Sequence, residues 1–127
     1  MSPNEGSGHL DAHLRDQLRE AVDALLDDAL HERLWIRGQR RSSRELSFDD
    51  AILFIIDQLK TDEPHDLVGH ILRDDGELGA FTRLSKALDT LVRRIGPGGT
   101  YRDAVGLGGP WQEVRLAAEA LDDALGT

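Results

Sequence analysis

Residues 74–97 read DDGELGAFTRLSKALDTLVRRIGP, and their apolar positions decide the fold. Phe81, Leu84, Leu88, Leu91 and Ile95 recur at steps of three and four, the spacing that places side chains on one face of an α-helix. The flanks agree with that reading. Asp74, followed three residues later by Glu77, matches a capping box at the start. Arg93 and Arg94 fall in the last turn, where cations complement the helix dipole, and Gly96-Pro97 ends the helix.

Downstream, the same spacing returns from Pro110 in Trp111, Val114, Ala118, Leu121 and Leu125. Positions beside the first seam, including Ser85, Ala87 and Val92, carry few charges. That argues for a wide buried face in a bundle rather than a free two-stranded coiled coil. The glycine-rich residues 96–110 join the two helices, with room for one helical turn capped by Thr100.

Upstream, Leu14, Leu18, Ala21, Leu25 and Ala29 predict a helix beginning near Leu10, with Gly38 as one place for it to stop. Ser47 with Asp49 and Asp50 in the first turn predicts a helix reaching about Lys60. Its run from Ala51 to Ile56 also suits a short buried strand, but the cap, the acids and the length favour helix. Pro64 opens a short further helix through Leu67, Val68, Ile71 and Leu72. The expectation is an all-α protein: a small helical bundle of four main helices plus one or two short ones. Residues 1–9 read as a disordered lead-in and 10–127 as a single helical domain.

The chain is acidic, with 15 Lys and Arg against 24 Asp and Glu and a net charge of −9. One segment runs against that balance. Arg33, Arg37, Arg40, Arg41 and Arg44 fall within twelve residues that hold no acid. On a continuous helix they form one stripe, and on a loop they do not. With the arginine-flanked Trp35, these residues are the candidate partner-binding surface, because guanidinium forks match carboxylates and tryptophan anchors contacts. The competing reading pairs the arginines with the protein's own acids, and packs Trp35 and Trp111 into the core or a bundle end.

Other constellations point less far. Asp66, His70 and Asp74 are spaced by four, which on a helix would put them on one face with His65 nearby. His65, Asp66 and His70 are therefore the alternative metal ligands, although no established metal motif is present. The acid pairs at 27–28, 49–50, 74–75 and 122–123 fall at helix starts or on helix surfaces, and capping and solubility explain them. The glycine-rich connector lacks the lysine and the preceding strand of a phosphate loop. No catalytic residue and no cofactor is expected.

With no cysteine, disulfides and thiolate chemistry are excluded. The N-terminus has no basic-then-apolar pattern, and the longest apolar run, from Ala51 to Ile56, is too short to span a bilayer. Arginine-dominated usage suits a GC-rich bacterial genome, and the expected compartment is the cytosol. An acidic body with six aromatic residues is poorly matched to nucleic acid. The expected function is a non-enzymatic interaction or regulatory module of the adaptor, inhibitor or immunity type, binding an acidic protein or itself as a homodimer. The alternatives are a bundle that holds a small ligand or metal, and a DNA-binding regulator.

Overall fold

The computed structural model describes residues 11–43, 45–59 and 64–126. The lead-in at residues 1–9, Arg44 and the expected helix end at Lys60 lie outside them. All regular secondary structure among the described residues is helical, with no strand. The order is α1 (Ala12–Leu26), α2 (Asp28–Leu30), α3 (Phe48–Leu53), α4 (Asp75–Ile95), α5 (Tyr101–Leu107) and α6 (Gly109–Gly126). The chain after α2 continues as a π-helical stretch, His31–Ile36, and the chain after α3 as another, Phe54–Gln58. A 3-10 turn covers Pro64–Leu67. Among the described residues no helix is long and apolar enough to cross a membrane.

Side-chain caps define most of the starts. Asp11, Ser47 and Asp74 each accept the backbone N–H three residues on, at 2.9–3.0 Å. Thr100 and Asp103 form a full capping box at α5. The predicted helix from Leu10 does not run unbroken. Asp27 takes an extended backbone, ends α1, and caps α2 by accepting from Leu30 N–H at 3.1 Å. A residue that prefers caps to helix interiors thus divides a helix that apolar spacing alone would draw as continuous.

α4 and α6 make the most extensive helix pair, and α1 packs on α6. Leu84, Leu88 and Leu91 of α4, Val114, Ala118 and Leu121 of α6, and Leu18 and Val22 of α1 are all fully buried in the one core. These are the seams read from spacing. Ala51, Ile52 and Ile55 close the core from α3 and its extension, so the 51–56 run is helix.

Two local expectations fail. The segment from Pro64 is one 3-10 turn, ended where Gly69 adopts φ +87°, not a helix reaching Leu72. And Glu77 does not return to the Asp74 N–H to complete a capping box. Its side chain is 2% exposed and faces Arg15 of α1, which donates Nη1 and Nη2 to the two carboxylate oxygens at 2.7 and 2.8 Å. Arg73 adds its backbone N–H at 2.7 Å and its Nε at 3.0 Å, while Arg15 also reaches the Ile71 carbonyl at 2.8 Å. Burial by itself would push the Glu77 carboxyl up. The hydrogen bonds from Arg15 and Arg73 outweigh it and hold the group at about 2.

Candidate functional site: the arginine loop and its aromatic base

The π-helical stretch ends at Ile36, and Gly38 takes φ +72°, a backbone that only glycine adopts without strain. Residues 38–43 and 45–47 are outside any helix. The arginines therefore do not form a helical stripe: Arg33 lies on the helical stretch, Arg37 caps it, and Arg40 and Arg41 stand on a loop.

That loop has an organiser, Glu45, the first acid after the arginines. Its carboxylate accepts a two-pronged contact from Arg33, with Nη1 at 2.9 Å and Nη2 on the second oxygen, and it also accepts the Arg41 backbone N–H at 2.8 Å. The Glu45 carbonyl accepts from Arg40. The Arg33 hydrogen bond, with the backbone N–H of Arg41, lowers the Glu45 carboxyl to about 2. Arg37 pairs with Glu32 at 3.1 Å, and Arg33 also donates to the Gln39 carbonyl at 2.7 Å. Two of the arginines are thus matched by the protein's own acids. Arg40 and Arg41 are exposed, and neither guanidinium meets a carboxylate among the described residues.

Trp35 sits at the root of the loop, half-buried, not at its tip. Its Nε1 donates to the Leu46 carbonyl at 2.9 Å, which ties the two stems together. Its ring stacks on His31 at 4.2 Å between centroids, 14° from parallel. Tyr101 lies 5.3 Å from Trp35 and 5.5 Å from Trp111, and Phe48 lies 5.5 Å from Trp35, all edge-to-face. This convergence of four aromatic rings around one histidine brings residues 31 to 111 together, and helical spacing gave no sign of it.

His31 is 2% exposed. Its Nε2 lies 2.6 Å from the Ala24 carbonyl, which only accepts, so Nε2 carries the proton and Nδ1 is the bare acceptor, 3.4 Å from the Tyr101 hydroxyl. Burial lowers the pKa of His31, with help from the Arg115 charge. The Ala24 hydrogen bond and the charges of Asp28 and Asp27 oppose that shift without reversing it. A histidine with a depressed folded pKa stabilises the fold in full above its unfolded value, about 6.5. The contribution is lost as pH falls from there through the folded pKa. Urea unfolding between pH 7.5 and 5 should therefore show a falling midpoint for the native chain and a flatter one for His31→Gln. Equal slopes would mean that His31 does not carry the dependence.

One side of the aromatic base opens as a cleft of about 470 Å³. Trp35, Phe48, Ile52, Val92, Ile95 and Tyr101 line it, and the Gly96–Thr100 connector borders it. Gly99 is required there, since a Cβ would come within 2.7 Å of Ile95.

The alternative metal ligands do not assemble. His65 and Asp66 lie on the 3-10 turn, His70 on the bend beyond Gly69, and Asp74 at the start of α4, so no shared helix face exists. Among the described residues no group of three or more histidine, aspartate or glutamate side chains is placed to hold a metal. Searches with the chain against protein-family models, curated proteins and solved structures returned no match.

Proposed function

We propose that this protein is a non-enzymatic interaction module of the bacterial cytosol that binds an acidic protein partner through the arginine loop. The observation that carries this reading is the state of the loop. Glu45 fixes its backbone through Arg33, Arg41 and Arg40, and leaves the Arg40 and Arg41 heads exposed without acidic partners among the described residues. A loop ordered before contact loses less conformational freedom on binding, and guanidinium forks suit carboxylates. The buried ionisable groups support the reading from the other side. Arg15 and Glu77 are satisfied by each other together with Arg73 and the Ile71 carbonyl, and His31 packs inside an aromatic cluster, so all three serve the fold.

The test is affinity capture from a lysate of the source organism with the native chain and with Arg40→Glu/Arg41→Glu. Acidic proteins captured by the native chain, released by salt and lost from the variant support the reading. Capture that ignores both substitutions sinks it.

The aromatic-lined cleft favours a second reading, in which the bundle holds a small apolar molecule. Its size falls within the range of small-ligand sites, about 300–1,000 Å³. The fluorescent apolar probe anilinonaphthalene sulfonate should then bind the native chain with one-to-one stoichiometry, and Ile56→Lys, at a half-buried position of the cleft lining, should abolish its binding.

A further inference from the structure

A second surface adjoins the arginine loop and has the opposite charge. Two concavities, of about 340 and 220 Å³, share Glu20 and Leu46 and so form one continuous groove beside α1 and α3. Glu20, Asp23, Asp27, Glu45, Asp50 and Asp57 line it, and no described arginine or lysine does; Glu45 is paired with Arg33, and the other five acids are exposed. Leu46, Phe54 and Leu53 add apolar groups to its lining, and Leu53 is 50% exposed, a large aliphatic group left in water. Burial, with the neighbouring Asp122 carboxylate, raises the Asp23 pKa against the lowering charge of Arg19.

We propose that the occupant of this groove is the arginine loop of a second copy of the chain, so that two copies exchange loops across a two-fold axis. The proposal rests on the reading of that loop as a contact surface and names its partner. Charge complementarity selects the occupant: the loop presents Arg40 and Arg41, and the groove presents five exposed acids, with no described cation lining it. The position of the two surfaces selects the symmetry. The loop ends at Glu45 and Leu46, and both residues also line the groove. Donor and receiver therefore share one face of the molecule, which a self-complementary two-fold contact requires. Surfaces on opposite faces would give open chains. Within one copy the exchange does not occur, since neither guanidinium reaches a groove carboxylate. The exposed Leu53 side chain adds apolar burial to the charge match.

Sedimentation velocity of the full chain at tens of micromolar and low salt tests this. The native chain is expected at twice its 14.0 kDa mass, and added salt should shift it toward the monomer. Glu20→Lys/Asp57→Lys and Arg40→Glu/Arg41→Glu should each weaken self-association about tenfold or more, with helix content retained in circular dichroism. An equimolar mixture of the two variants restores both contacts at once, and should recover the dimer that neither forms alone. A native chain that stays monomeric overturns the exchange, as does a dimer indifferent to Glu20→Lys/Asp57→Lys or a mixture that fails to reassociate. If acidic proteins are still captured through Arg40 and Arg41 in such a case, the interaction reading survives with another partner. If basic proteins are captured through Glu20 and Asp57, the groove belongs to a different chain.

Discussion

Replacing Glu77 with alanine should cost about 3–5 kcal/mol of stability, the range for breaking one side of a buried ion pair. The loss comes less from the missing attraction than from what remains. The Arg15 guanidinium would stay buried with only the Ile71 carbonyl as a partner, and the Arg73 backbone N–H would lose its acceptor. Thermal unfolding followed at 222 nm should show a midpoint lower by roughly 10–20 °C for a domain of this size. Replacing both partners, as Arg15→Met/Glu77→Leu, should cost far less, because no charge is then left without a partner in the interior. If the double variant is as unstable as Glu77→Ala, the pair does more than neutralise itself. The pH dependence follows from the depressed carboxyl. With a folded value of about 2 against about 4.5 unfolded, its contribution, on the order of 3 kcal/mol, is complete above pH 4.5 and disappears as pH falls toward 2. That window lies below the one for His31, so the two titrations separate in a single pH series.

Trp111→Ala is expected to cost a similar amount, about 3–5 kcal/mol. The ring is 6% exposed and meets Phe48, Tyr101 and His31 edge-on, at centroid distances of 6.2, 5.5 and 6.0 Å. Truncation leaves a cavity bounded by rigid rings on three different segments, which close on it poorly. Trp111→Phe keeps most of the volume and should cost about 1 kcal/mol. Urea midpoints of the two variants give the comparison, and equal values would show that the cluster relaxes around a void.

The regular part of this fold was legible because it rests on local rules. Ser47, Asp74 and Thr100 cap the helices they were expected to cap, Gly96 ends α4, and the spaced apolar residues of 84–91 and 114–125 form the central seam. The failures share a cause too. Glu77 sits at the third position of a capping pattern, but its partner Arg15 is 62 residues away, and no local pattern encodes that choice. Asp27 stands where periodicity continues on both sides, and its capping preference overrides that periodicity. In the arginine segment Gly38 decides against a helix, and Glu45, one residue beyond the acid-free stretch, decides which arginines are left over. Of the candidate site, the sequence supplied the residues and the structure supplied their unequal roles. The cleft and the acidic groove arise from segments distant in sequence and left no local trace.

The aromatic cluster also makes the molecule spectroscopically lopsided. α4, 21 residues long and so about 30 Å from end to end, has Glu77 in its first turn and leads through the connector to Tyr101. Both tryptophans and the tyrosine lie at the connector end, in contact with His31. Indole emission and the tryptophan and tyrosine bands of the near-ultraviolet dichroism therefore report on that end, while far-ultraviolet dichroism averages over every helix. Coincident melts by the two signals would mark one cooperative unit. A far-ultraviolet transition that begins first would mean that the Arg15–Glu77 end opens while the aromatic end holds.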